Sequence, residues 1–191
     1  MNPSIAKWLT WPVIIGVLVV IVAVYAGGKY NGLVTQNEGI DAQWAQVESQ
    51  YQRRFDLIPN LVASVQGAMK QEQAVFTAIA DARTRYAGAA TPETKAAAAT
   101  QVESALGRLL VVMENYPQLA SIGTVQSLMA ELAGTENRVS VERMRYNEMV
   151  RDYNVSVKVF PGAVVARVFG FGPRTMFEAA AGAEVAPKVE L

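Results

Sequence analysis

Between Trp8 and Ala26 the chain runs through 19 residues, WLTWPVIIGVLVVIVAVYA, without one charged side chain. At about 1.5 Å per residue a helix of that length comes close to the roughly 30 Å of a bilayer's hydrocarbon core, so the run is expected to be a membrane anchor. Trp8 and Trp11 at one end and Tyr25 at the other are rings suited to the headgroup level, and Lys7 and Lys29 lie outside them. Between the rings, Val13, Ile14, Ile15, Val17, Leu18, Val19, Val20, Ile21, Val22 and Val24 supply the apolar surface. The alternative is a cleaved signal peptide, since Val13 to Val24 has the length of an h-region and Val24-Tyr25-Ala26 resembles a small-residue cleavage site. Helical patterning that resumes straight after Gly27-Gly28 favours a retained anchor. Lys7 and the amino terminus against a single Lys29 leave the orientation open.

Composition narrows the chemistry. The chain has no histidine and no cysteine, which removes the commonest general base, thiolate nucleophiles, disulfides, imidazole ligands and sulfur-based zinc sites. Neither Gly170-Phe171-Gly172-Pro173 nor any other stretch has the spacing of a phosphate cradle. No catalytic, cofactor-binding or metal-ligating residue is assigned, no cofactor is expected, and the chain reads as a non-enzyme. Lysines plus arginines equal aspartates plus glutamates, 17 of each, with no long block of either sign, so nucleic acid is not an expected partner.

Past Leu33 the apolar residues recur by threes and fours, the signature of helices with one buried stripe. A first long helix is expected from Leu33 to Tyr86. Its two rows are Ile40, Val47, Leu61, Ala68, Val75, Ala82 and Trp44, Tyr51, Ile58, Val65, Ile79, Tyr86, and Pro59 either kinks it or breaks it. Ala87 to Ala90 ends that helix. Thr91-Pro92-Glu93 opens a second, with Thr91 as N-cap and Pro92 at the first helical position. A third is expected from about Thr124 to Lys158, stopped by Pro161-Gly162 and followed by a short apolar piece, Ala163 to Phe171. The expectation is therefore an all-α chain: anchor over 1–29, antiparallel bundle of three long helices plus a short C-terminal helix over 30–171, and a flexible tail over 172–191.

Helix lengths of about 85, 37 and 50 Å do not match one another. In an out, back and out arrangement the membrane-proximal part of the first helix has no partner in its own chain. Yet Ile40, Trp44, Val47, Tyr51, Phe55 and Ile58 keep an apolar stripe there. Self-association is the expected cover, with a sharp break at Pro59 as the alternative. Phe160, Val164, Val165, Phe169 and Phe171 are read as a second subunit contact or bundle cap. An interfacial role is the less favoured alternative, because the segment is short and its net charge modest for a membrane-surface helix, and because the third helix is expected to end away from the anchoring membrane. Arg54, Glu72, Glu136 and Arg143 fall on or beside apolar rows, where opposite charges can fix helix register.

Several stretches also carry a resemblance. Tyr30-Asn31-Gly32-Leu33-Val34, the run from Trp44 through AQVESQYQRRFDLIPNLV, GTENRVSVERMRYNEMVRDYN from Gly134, and FPGAVVARVFGF from Phe160 are similar to the LemA family. The resemblance implies a bacterial, membrane-anchored helical bundle with no established enzymatic activity, in a family some of whose members are associated with forming magnetosome membranes. It supplies no catalytic residue, and Lys70-Gln71-Glu72 stand where many members carry a histidine. Together these readings give a single-pass protein of the bacterial inner membrane with the side of its bundle undecided. It is expected to be a homo-oligomeric scaffold that organises or remodels membrane or gathers membrane-protein partners. The alternative is a monomeric sensor or adaptor holding a signalling or proteolytic partner.

Overall fold

The computed structural model describes residues 3–177, with side chains from Trp11 onward. The expectations for the Trp8 ring and for the tail from 178 on lie outside the described residues. Among the described residues six helices follow in order: α1 (Pro3–Gln66), α2 (Gln73–Gly88), α3 (Pro92–Met113), α4 (Pro117–Ala120), α5 (Gly123–Lys158) and α6 (Gly162–Phe169). Among the described residues there is no strand, so the all-α class read from the periodicity is the class observed.

The expected first helix to Tyr86 is in fact two. α1 passes through Pro59 unbroken, and Pro59 sits on the exposed side of the helix, where its ring displaces no packed neighbour. The chain turns instead at Gly67–Glu72. There the amides of Ala68 and Met69 both bond the Val65 carbonyl, and Glu72 N–H bonds that of Met69. Met69 and Phe76 are buried where Ala68 and Val75 were expected, whereas Val65, Ile79, Ala82 and Tyr86 of the expected rows are buried as read.

The start of α3 matches its sequence signal. Thr91 Oγ1 accepts from the Thr94 amide at 3.3 Å, Thr94 Oγ1 accepts from the Thr91 amide at 3.0 Å, and Pro92 takes the first turn. This reciprocal pair satisfies two of the donors that every helix N-terminus leaves open.

By packing, the chain divides into two compact units, one formed by the chain up to Asp41 with Glu148–Arg174, the other by Ala42–Asn147 with the chain from Thr175. In the first, α5 runs antiparallel to α1. A Cβ on Gly39 would lie 3.0 Å from the Met149 terminal methyl, and Leu33, Ile40, Val150, Tyr153 and Val157 are buried. The segment after α6 is tied to this pair. Asn154 brackets Arg174 with two hydrogen bonds of 2.8 Å, donating to its carbonyl and accepting from its amide, while the guanidinium reaches Asn37 and Asp41.

In the second unit α1 and α5 are again antiparallel, as the 2.7 Å bond from Gln43 to Glu142 and the 3.3 Å pair of Arg53 with Glu131 show. α2 and α3 complete the bundle. Arg85 bonds Gln101 at 2.8 Å, Lys95 pairs with Glu48, and the Tyr86 ring stands edge-on to Phe55 at 4.4 Å. Phe177 stacks on Trp44 at 5.5 Å and meets Tyr146 at 5.2 Å, and Asn147 bonds both its amide and its carbonyl. Residues 174–177, expected to lie in a flexible tail, are thus held by named bonds.

These contacts correct the expected subunit contact on α1. Ile40, Val47, Tyr51 and Ile58 are 0 % exposed, Phe55 5 % and Trp44 9 %, all within one chain. The break at Gly67–Glu72 frees α2 to fold back as a further helix. Its Tyr86, with Tyr146 and Phe177, covers the aromatic residues that the length argument left bare.

Candidate membrane-facing site

From Trp11 to Tyr25 the large apolar side chains of α1 stand exposed on every side of the helix, at 49–71 %. A helix apolar all round belongs either inside a protein core or inside lipid, and no part of the described chain covers this one. By length and composition it is able to cross a membrane.

The second exposed apolar cluster is α6 and the residues just before it. Gly162, Val165 and Ala166 form its buried face. Opposite stand Val164 at 55 % and Val168 at 71 % exposure, with Phe160 at 80 %. Gly162 is required where α6 leaves α5, because a Cβ there would run into the Ser156 carbonyl. Gly170 closes the helix at φ 77°, a left-handed conformation, and Phe171 N–H bonds the Ala166 carbonyl at 2.9 Å. Of the five residues read as a second contact, Phe160, Val164 and Phe169 are exposed, whereas Val165 is buried and Phe171 half-buried.

This cluster lies at the end of the candidate span. The Tyr30 ring is 4.8 Å from Phe169 and 5.6 Å from Phe171. Tyr25, Gly28, Lys29 and Gly32 of α1 face Val159, Phe160 and Gly162 across an open groove of about 510 Å³. The third long helix was expected to end away from the anchor, and it ends beside it. In an up-and-down bundle the third helix runs parallel to the first, but the extra helix α2 makes α5 the fourth and antiparallel.

The charged residues read as a register-fixing network sit in the second unit. Arg54 is 5 % exposed, with Glu103 at 3.6 Å and Glu136 at 3.5 Å, and Arg143 approaches the other oxygen of Glu103 at 3.9 Å. Glu103 is the member that sequence reasoning missed. It lies four residues after buried Ala99 and three before buried Leu106, on the packed face of α3, which was a legible signal. Glu72 stands apart from the network, accepting from the Tyr116 hydroxyl at 3.5 Å.

Burial raises the Glu103 carboxyl above its ordinary value, against the pull of Arg54 and Arg143 and with a push from Glu136. Burial likewise lifts the Tyr51 hydroxyl to about 12, against Arg143 and Arg54, and raises that of Tyr86. Tyrosines held so firmly protonated are poor bases and poor nucleophiles near neutrality, and the ion pairs of Arg54, Glu103, Glu136 and Arg143 join α1, α3 and α5.

The molecule is thus an all-helical protein with a candidate membrane span and a charge-stapled helical body. Residues 43–191 match the model of the LemA family, and the chain belongs to that family. The match takes in the helical body and α6 and leaves the apolar run outside. Among known proteins the chain is similar to Magnetosome protein MamQ 2 and Magnetosome protein MamQ 1 of Paramagnetospirillum magneticum. Each is 27 % identical over 176 residues, covering 78 % of this chain and 65 % of the relative. Magnetosome protein MamQ of Magnetospirillum gryphiswaldense is 26 % identical over 169 residues, covering 75 % of this chain and 62 % of the relative. The chain spans just under two thirds of the length of these relatives.

Proposed function

We propose that this LemA-family protein is a bilayer-anchored helical module that works by binding rather than catalysis, and that it organises or shapes the membrane that holds it or gathers proteins there. The observation that carries this reading is the contrast in burial along α1. Trp11 to Tyr25 are open on all sides, while the stripe from Ile40 to Ile58 is closed. The similarity to proteins named for the magnetosome supports a role at a membrane. A bacterial inner membrane and a single pass are the location proposed, with no cofactor involved.

The closed stripe changes how such a module works. Because its own chain covers that stripe, this reading does not call for a homo-oligomer held through Trp44 and Tyr51. The same observation favours, as a second reading, a monomeric adaptor that presents its body to a signalling or proteolytic partner.

The test is fractionation of cells making the full chain, followed by crosslinking in the membranes. Wild type should stay in the pellet through an alkaline carbonate wash, and a variant with Val17→Arg, Val20→Arg and Ile21→Arg should leave it while keeping its helical content. Release of wild type by carbonate, or retention of the variant, refutes the anchor. Crosslinks that collect one unlike protein would favour the adaptor; vesicles reshaped by the purified chain alone would favour the organiser.

A further inference from the structure

We infer that α6 and its flanks, Val159 to Phe171, lie in the headgroup layer of the same bilayer that receives the anchor, with Phe160, Val164 and Val168 turned toward the acyl boundary. This rests on the reading of Trp11–Tyr25 as a membrane span. The occupant of the exposed α6 face is lipid.

Depth is the first argument. The apolar run ends at Ala26, and Tyr30 lies four residues on, about 6 Å along the helix axis. A headgroup layer is roughly 5–8 Å thick on each side of the hydrocarbon. Tyr30 is therefore at headgroup depth, and its ring contacts with Phe169 and Phe171 hold the end of α6 at that depth as well.

Shape and charge agree with it. α6 has one face buried on its own unit and the other apolar and bare, the division that an interfacial helix makes between protein and lipid. No aspartate or glutamate occurs from Tyr153 to Phe177, nor in α1 before Glu38. Lys29, Lys158 and Arg167 supply cations in these stretches, and long basic side chains reach the headgroup level while their stems stay in apolar surroundings. A second copy of the chain is the weaker occupant. One eight-residue helix offers far less than the roughly 800 Å² that each partner gives to a stable interface.

The chain has no cysteine of its own, so single cysteines can report position in the full-length protein. Leu18→Cys, Val168→Cys and Val111→Cys, each labelled with an environment-sensitive fluorophore, would be reconstituted in vesicles of phosphatidylcholine and phosphatidylglycerol carrying doxyl-lipid quenchers. Val111 is 64 % exposed on α3 and serves as the aqueous control. The expected result is quenching at Leu18 by deep doxyl groups, quenching at Val168 by shallow ones, and severalfold weaker quenching at Val111.

Quenching at Leu18 with none at Val168 would overturn the placement of α6 and leave the anchor standing. Absence of quenching at Leu18 would overturn the anchor itself. A Val168 label that is blue-shifted yet insensitive to doxyl lipid would show protein covering that face, against the inference.

Discussion

Replacing Ile58 by alanine tests whether the stripe on α1 is closed by its own chain. Ile58 is 0 % exposed, and truncating so buried a side chain costs about 2–5 kcal/mol through lost transfer energy and the cavity left behind. With a loss of about 3 kcal/mol and a urea slope of roughly 2 kcal/mol/M, the unfolding midpoint should fall by about 1.5 M. Val111→Ala, at an exposed site, should stay within about 0.5 kcal/mol of wild type. The assay is urea unfolding of the full chain in mild detergent, followed by far-ultraviolet circular dichroism at two protein concentrations tenfold apart. If a sister chain closed the stripe, tenfold dilution would remove about 1.4 kcal/mol and shift the midpoint by about 0.7 M. A midpoint that moves with dilution, or an Ile58→Ala variant as stable as wild type, would refute intrachain closure.

Other consequences follow from single contacts. The folded chain holds the Glu103 proton more tightly than the unfolded one, mainly through burial. Stability should therefore fall as pH rises from the ordinary carboxyl value near 4.5 through the raised folded value; Glu103→Gln should flatten that fall, and an unchanged pH profile would count against it. Thr91→Ala removes the cap of α3 and should cost about 1 kcal/mol in the same urea assay, with Thr91→Ser restoring most of it. Gly162→Ala puts a Cβ against the Ser156 carbonyl and should displace α6 from α5, seen as faster hydrogen exchange in Gly162–Phe169 while Ala99–Leu109 stays protected.

Much of this was legible because each signal was local and unopposed. Nineteen residues without a charge have few places to go, Thr91-Pro92 carries its cap in the side chains themselves, and the stripe of α5 from Val125 to Val157 keeps one phase throughout. The turn at Gly67–Glu72 was hidden for the opposite reason. It contains one glycine and no proline or asparagine, and apolar residues at helical spacing continue on both sides. The expected rows even hold across it, since Val65 before the turn and Ile79, Ala82 and Tyr86 after it are buried, and only Ala68 and Val75 give way to Met69 and Phe76. Attention went instead to Pro59, whose cost α1 absorbs on its exposed side. The missed turn left Glu72 in the expected charge network, whereas Glu103 stood legibly on the packed face of α3 and was overlooked there.

That single turn also decides which end of the molecule can touch lipid. With three long helices, α5 would have run parallel to α1, α6 would have ended far from the anchor, and its apolar face would have called for a protein partner. With α2 inserted, α5 is antiparallel to α1, and Phe169 and Phe171 come to rest on Tyr30, one helical turn past the end of the apolar run. The same valines and phenylalanines thus change meaning without any change in their own sequence. An exposed apolar face far from a membrane is an interface awaiting another protein, whereas one held at headgroup depth already has its solvent.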